Sequence, residues 1–422
     1  MLSKNITKKD IFDIGVKAKE ASQKVSLLSS KIKNDILHSA AENLLKNKDL
    51  IIKENEKDVR ENKEKLTPAT LDRLILDEKR VDSICNGLID IAELDDPIGK
   101  IIDSSIRPNG LKIDKVSIPL GVIGVIYESR PNVAADAAAL CLKSGNTLIL
   151  RGGSESFHSS TIIVDLINQS MRKFGVPYGA LQNIPTRDRA AVGHLLRMDK
   201  YVDVIIPRGG KSLIKRVSEE SKIHVIKHLD GICHTYIHSS SDPKLCERVV
   251  INAKMRRPGI CGATETVLCD AEVVNTHLPM VVDKLKKTNC EIRGDNLVMQ
   301  LDESIKLAKN EDWATEYLDK IISIKVLKNG VKEAVDHINK YGSGHTDAIL
   351  SEDLKSVEYF LDNVDSGIVM HNTSTQFADG GEFGMGAEIG ISTSKVHARG
   401  PVGVAQLTSF KYKVRGSGQI RP

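Results

Sequence analysis

Apolar residues in the first hundred positions recur at the three- and four-residue spacing of one helix face. Ile11, Ile14, Ala18, Ala21, Val25 and Leu28 form one such series, and Ile32, Ile36, Leu37, Ala40 and Leu44 form the next. Thr67 and Pro68 supply an N-cap and a first-turn residue for a further helix, predicted to run through Leu71, Leu74, Val81, Ile84 and Leu88. The Lys-, Glu- and Asn-rich stretch 53–65 reads as a solvated helix face, so this whole region is expected to be helical. From about Leu111 the period changes. Residues 111–118 read as a polar-decorated strand and, after the Pro119-Leu120-Gly121 turn, 122–127 as a buried one. Short apolar runs at 146–150, 181–184, 202–206 and 223–226 then alternate with amphipathic stretches at 159–173, 190–198 and 211–217. A second series begins near Thr235, with strands predicted at 265–268, 321–327, 347–350 and 367–370 and helices at 275–287, 331–339 and 352–361. Such alternation predicts an α/β fold of two parallel-sheet units, each sheet covered on both faces, with ligands beyond the carboxyl ends of the strands. The last alternating stretch, 406–414, has little core of its own and makes an exposed edge suited to pairing with a second subunit.

Length and composition narrow the class. A chain of 422 residues exceeds one ordinary core, and 41% apolar with 27% charged residues is the balance of a soluble globular protein. Sixty basic and 56 acidic residues give a net charge of only +4, which argues against a nucleic-acid or membrane partner. Residues 1–6 lack the apolar core of a signal peptide, and the longest apolar run, 118–127, is too short to cross a bilayer. Seven scattered cysteines make no disulfide framework and point to a reducing cytoplasm. With no CxxC, HExxH or EF-hand spacing, no structural or catalytic metal is expected.

One cysteine differs from the others. In Arg256-Arg257-Pro258-Gly259-Ile260-Cys261-Gly262 the proline and glycine should end a helix running from about Pro243 to Met255 and leave Cys261 on a loop. Gly262 permits close approach, and two arginines favour the nucleophilic thiolate. The alternative is an inert buried thiol, which is the reading for Cys85, Cys141, Cys233, Cys246, Cys269 and Cys290. Two glycine loops follow predicted strands, Arg151-Gly152-Gly153 and Arg208-Gly209-Gly210-Lys211. Backbone N–H groups beside basic side chains suit a phosphate-bearing ligand; the alternative is a pair of tight strand-to-helix turns. Neither loop is a P-loop, whose leading glycine would fall at Ile205, and no GxGxxG is present.

The order of these parts, with Tyr127-Glu-Ser-Arg-Pro-Asn-Val133, Leu140-Cys-Leu-Lys-Ser-Gly-Asn146, Ile206-Pro-Arg-Gly-Gly210, Arg257-Pro-Gly-Ile-Cys261, Gly386-Ala-Glu-Ile-Gly-Ile-Ser-Thr393 and His397-Ala-Arg-Gly-Pro401, resembles the aldehyde dehydrogenase superfamily almost end to end. Within it the chain is similar to the reductases of glutamate-side-chain acyl phosphates in proline biosynthesis. The resemblance implies a cofactor-binding domain from 1–108 and 119–232, a catalytic domain from 233–400, and a β flap for oligomerisation from 109–118 and 401–422. It places Cys261 as the nucleophile and Asn132, or Arg130 in its stead, as the oxyanion donor. Arg151 with Gly152 and Gly153 would accept a 2′-phosphate, favouring NADPH/NADP+; Gly209 and Gly210 would form the nucleotide loop, and Glu316 would hold the nicotinamide ribose. Arg130, Arg256 and Arg257 are candidates for the substrate's anionic groups, with Arg399 a further one. The glutamate that activates water in hydrolytic relatives is absent from Lys227-His228-Leu229-Asp230-Gly231, which is expected to be a structural turn rather than to supply a replacement base. An acyl-phosphate reductase needs no such base, because phosphate is the leaving group. The rival reading is oxidation of another aldehyde to its acid. A non-catalytic descendant is disfavoured by the retained cysteine and glycine loops. Expected partners are a small-molecule substrate, a second copy of the chain and contact with a glutamate 5-kinase, and no fused kinase domain is expected.

Overall fold

The computed structural model describes residues 7–421, so the reading of residues 1–6 lies outside them. The chain forms two compact units: Met1–Lys227 with Gly384–Gly390 and Val402–Pro422, and His228–Phe383 with Ile391–Pro401.

The first unit opens with helices Lys8–Val25, Ser30–Lys46, Lys48–Asn62, Pro68–Leu74 and Glu78–Glu93. The single helix expected from Thr67 to Leu88 is in fact two. Ile75 is extended, and Asp77 caps a new start by accepting from the Arg80 N–H at 2.8 Å. Buried Asn55, from the preceding helix, clamps the break: its side chain donates to the Leu74 carbonyl at 2.8 Å and accepts from the Leu76 N–H at 2.7 Å. A tertiary partner thus stabilises a break that the apolar periodicity carries straight through. Beyond the helices lies a five-stranded parallel sheet, in the order Leu181–Asn183, Thr147–Gly152, Val122–Tyr127, Val204–Arg208, His224–Val225. Ile126, Ile149 and Ile205 of that sheet share one buried cluster with Ile11, Leu195 and Val217 of its covering helices.

A separate antiparallel sheet joins Ile101–Ile106, Lys112–Pro119 and Thr408–Arg415. Its first strand falls in a stretch to which the sequence pattern assigns no element. Every residue of that strand is exposed, so pairing rests on main-chain bonds rather than on a buried face that alternation could announce. Residues 384–390, read from the sequence as part of the second domain, are tied to the first by the Ile389 N–H on the Val402 carbonyl and the Val402 N–H on the Gly390 carbonyl.

The second unit is a seven-stranded parallel sheet in the order Lys306–Leu307, Glu291–Gly294, Ile321–Leu327, Thr264–Asp270, Cys233–Ile237, Thr346–Leu350, Ile368–His371. Helices Pro243–Met255 and Val274–Lys287 pack Val250, Leu278 and Leu285 on one face against Val267 and Ile322. Helices Gly330–Tyr341 and Leu354–Asn363 pack Ile338 and Phe360 on the other against Tyr236 and Leu268. Adjacent Val267 and Leu268 point to opposite helix layers, as the two-residue period of a strand demands. Among the described residues no helix is long and apolar enough to cross a membrane.

Asn55→Ala should leave the Leu74 carbonyl and Leu76 N–H buried without a partner and cost about 1–3 kcal/mol, read as a lower urea midpoint at unchanged slope.

Candidate active site

The helix Pro243–Met255 begins on an Asp242 cap, whose side chain accepts from the Leu245 N–H at 2.7 Å, and stops where Pro258 and Gly259 follow. The strand Thr264–Asp270, buried throughout, resumes after a turn in which the Ala263 N–H meets the Ile260 carbonyl at 3.0 Å. Cys261 hangs between them. Gln376 secures the descent, its amide donating to the Ala253 carbonyl at 2.9 Å and the Arg257 carbonyl at 3.2 Å. Beneath the loop, buried Thr264 Oγ1 bridges Thr235 Oγ1 at 2.7 Å and Thr375 Oγ1 at 3.0 Å.

The turn expected at 227–231 presses directly on the thiol's backbone. A Cβ at Gly231 would fall 2.1 Å from the Cys261 carbonyl oxygen and 2.6 Å from its Cα, so no side chain fits there. Glu316 accepts from the Gly231 N–H at 2.8 Å and Ser343 Oγ from the Ile232 N–H at 2.9 Å, while Cys233 Sγ donates to the Cys261 carbonyl at 3.1 Å. The same turn delivers His228. Donor atoms of His228, Cys261 and buried His345 all lie within 4.8 Å of one another, and the two imidazoles meet edge-on with centroids 5.3 Å apart. His228 Nδ1 is 2.7 Å from the Ile391 carbonyl. A carbonyl only accepts, so Nδ1 carries the proton and Nε2 the lone pair. His345 Nδ1 contacts Thr346 Oγ1 at 2.9 Å and Cys233 Sγ at 3.7 Å.

The other six cysteines are buried, and burial pushes every one of their thiols up, Cys246 to about 11 and Cys290 to about 12; Cys261 alone is half-buried. Close below, Lys254 and Glu265 form a fully buried ion pair. Desolvation dominates Glu265 and carries it up to about 7, against the opposing pull of Lys254; its second oxygen accepts from the Leu318 N–H at 3.2 Å, which anchors the segment holding Glu316. Glu316 follows a short turn at Asn310–Ala314 rather than lying on a helix face.

Arg256 donates to Gln376 Oε1 at 3.4 Å and lines a cavity of about 440 Å³ with Arg248, Asn252, Asn372 and Glu382. Arg257 is exposed, and Arg399 is bound to Asp365 at 2.7 Å. In the first unit, Asn132 donates to Asp136 at 2.9 Å within its own helix, and Arg130 is half-buried just before that helix. Arg151, buried at a strand end, gives its guanidinium to the carbonyls of Gly152, Arg187 and Asp188. Glu128 Oε2 accepts from the Gly210 N–H at 2.9 Å and would lie 2.5 Å from a Cβ at Gly209. A Cβ at Gly152 would lie 2.9 Å from the Tyr127 hydroxyl, and one at Gly153 would meet the Glu155 carboxylate. Both glycine loops end parallel strands that flank Val122–Tyr127 on either side, at backbone positions that side chains would fill. Sequence reasoning missed His345 and Gly231. No spacing joins residues 228, 261 and 345 along the chain.

A half-buried thiol beside two imidazoles, on the loop leading into a buried parallel strand, is an arrangement suited to covalent acyl or aldehyde chemistry. A model of the aldehyde dehydrogenase family matches residues 3–300, and the chain belongs to that family. It is 55% identical to the gamma-glutamyl phosphate reductase of Rhodospirillum rubrum, over 98% of this chain and 96% of that one. The crystal structure of gamma-glutamyl phosphate reductase from Thermotoga maritima matches with a TM-score of 0.95 at 39% identity, covering 98% of this chain and 100% of the other. An engineered glycolyl-CoA reductase solved with bound NADP+ shares the fold, with a TM-score of 0.68 at 16% identity over 96% of each chain.

Gly231→Ala should drive the Cys261 loop out of place and reduce turnover at least tenfold, with a stability loss of about 1–3 kcal/mol by thermal unfolding. Glu265 carries a proton in the folded protein above its ordinary range near 4.5, so its contribution to stability is present below that pH and is lost as pH rises through about 7. Lys254→Met should steepen that loss, seen as a larger drop in melting temperature between pH 5 and 8 than in the parent (roughly 3–5 kcal/mol for an orphaned buried charge).

Proposed function

We propose that this chain reduces L-glutamate 5-phosphate to L-glutamate 5-semialdehyde with release of inorganic phosphate, in proline biosynthesis, through a thioester on Cys261. The observation that carries the reading is the single half-buried thiol beside two imidazoles, in a chain 55% identical to a gamma-glutamyl phosphate reductase. Cys261 Sγ attacks the acyl carbon, the bond to the phosphate oxygen breaks, and phosphate leaves with the electron pair. The thiol proton passes to His228 Nε2, the nitrogen that the Ile391 carbonyl leaves basic. Arg151, Gly209, Gly210 and Glu316 would hold a reduced nicotinamide dinucleotide, which when bound would supply the hydride that the thioester carbon accepts. His228 then gives its proton to the new oxyanion and takes it back as the C–S bond breaks and the aldehyde departs. Asn132 or Arg130 steadies the oxyanion with the Cys261 N–H.

NADPH is the proposed cofactor, with Arg151, Gly152 and Gly153 at its adenosine end, Gly209 and Gly210 at the nucleotide loop and Glu316 at the nicotinamide ribose. The glycine positions and neighbouring basic side chains support this fit. The cavity beside Arg256 suits the substrate's amino-acid end: Arg248 and Arg256 match a carboxylate and Glu382 an ammonium, while Arg257 and Arg130 attract the phosphate. The antiparallel sheet exposes Ile101, Ile106 and Tyr412 by 59%, 75% and 61%, which supports a homo-oligomer closed across that edge. A cytoplasmic location and contact with the kinase that makes the labile acyl phosphate complete the proposal.

Cys261→Ala should abolish turnover while NADPH binding stays near the parent's, and parent-like rates would exclude the covalent route. His228→Gln should lower kcat roughly 10²–10⁴-fold with little change in KM. In reverse, semialdehyde with NADP+ should turn over only when phosphate or arsenate is supplied; phosphate-independent oxidation would favour an ordinary aldehyde dehydrogenase.

A further inference from the structure

The trio that serves acyl transfer also has the composition of a soft-metal site. Cys261, His228 and His345 offer one thiol sulfur and two imidazole nitrogens, all within 4.8 Å of one another. A tetrahedral zinc ion, with bonds of about 2.3 Å to sulfur and about 2.0–2.1 Å to nitrogen, would hold such donors about 3.3–3.6 Å apart. The closing movement is therefore on the order of 1 Å, which side-chain rotation at Cys261 and His228 can supply without displacing the clamped backbone. Cys261 is on a half-buried loop and His228 on a half-buried turn, whereas His345 is fully buried immediately before the strand Thr346–Leu350.

The outer shell matches as well. A ligating histidine ordinarily donates its second ring N–H to a carbonyl or carboxylate, which fixes the tautomer and raises the basicity of the ligating nitrogen. His228 already does this through Nδ1 to the Ile391 carbonyl at 2.7 Å. Gly231, clamped by Glu316, holds the turn bearing His228 against the backbone of Cys261, so the ligand pair is organised before any ion arrives. The Cys261 thiolate would be the one negatively charged donor beside two neutral imidazoles, so the site would keep a single net positive charge and one open position for water.

We propose that Cys261, His228 and His345 bind one Zn²⁺ or a similar thiophilic divalent cation, which caps the nucleophile and holds the enzyme in a reversibly inhibited, oxidation-protected state. Binding replaces the Cys261 S–H bond with a Zn–S bond and releases the thiol proton to solvent, with no change of oxidation state. The capping part rests on Cys261 being the nucleophile; the binding part does not.

The test uses the full reduced chain and the metal alone. Zn²⁺ is titrated against a chromophoric chelator, and Co²⁺ serves as a spectroscopic probe of thiolate ligation. The parent should take up one ion per chain, show a thiolate-to-cobalt charge-transfer band, and lose reductase activity until EDTA restores it. Cys261→Ala should remove the band, and His228→Gln, at a half-buried position that tolerates the change, should weaken affinity about 10–100-fold. His345→Gln should do the same, with far-UV circular dichroism and melting temperature reporting whether the variant folds. Affinity within twofold of the parent in Cys261→Ala or His228→Gln overturns the proposal, as does a cobalt complex without the thiolate band. Zinc uptake at the trio in a protein lacking reductase activity would instead sink the functional reading and leave the metal site standing.

Discussion

A contact between two stretches of backbone governs the second unit. Residue 231 lies so close to residue 261 that even a methyl group at Gly231 would overlap the Cys261 carbonyl. Close packing of this kind is not elastic, so the position of one segment dictates that of the other. Glu316, Ser343 and Cys233 then fasten the pair with hydrogen bonds worth about 1 kcal/mol each, and three distant segments become one rigid surround for a single sulfur.

The electrostatics under that surround explain why the loop can be both rigid and reactive. Lys254 and Glu265 carry charge where no water reaches, and burial drives Glu265 toward neutrality while the lysine resists it. The pair costs desolvation, yet it holds the last turn of helix Pro243–Met255 to the strand beyond and, through the Leu318 N–H, to the segment bearing Glu316. The hydroxyl chain Thr235–Thr264–Thr375 does similar work without charge. Above it the thiol lies beside two imidazoles, groups that can both accept and return a proton.

Much of this was legible along the chain, though unevenly. The helix Pro243–Met255 ends where Pro258 and Gly259 require it to, and the strand Ile321–Leu327 was found to the residue, because both obey local rules that no neighbour overrides. The break at Ile75 was invisible, since the apolar spacing continues through it and the reason lies in Asn55 on another helix. The strand Ile101–Ile106 escaped because nothing on it is buried, leaving no pattern to read. Arg151 was read for its charge toward a cofactor phosphate, yet its guanidinium also satisfies the ends of nearby backbone, a demand that no motif encodes.

Cys261 declared itself from the sequence alone, because proline, glycine and paired arginines around a thiol are local facts of composition and backbone freedom. The alternation that makes two parallel-sheet units is equally local, arising from the different periods of strand and helix. The company that the thiol keeps was decided only in three dimensions. His228 and His345 stand 33 residues before and 84 after Cys261, and they meet it because each precedes one of three neighbouring parallel strands, which all start at the same end of the sheet. Nor could the necessity of glycine at position 231 be known before folding, because the atom that forbids a side chain there belongs to the cysteine itself.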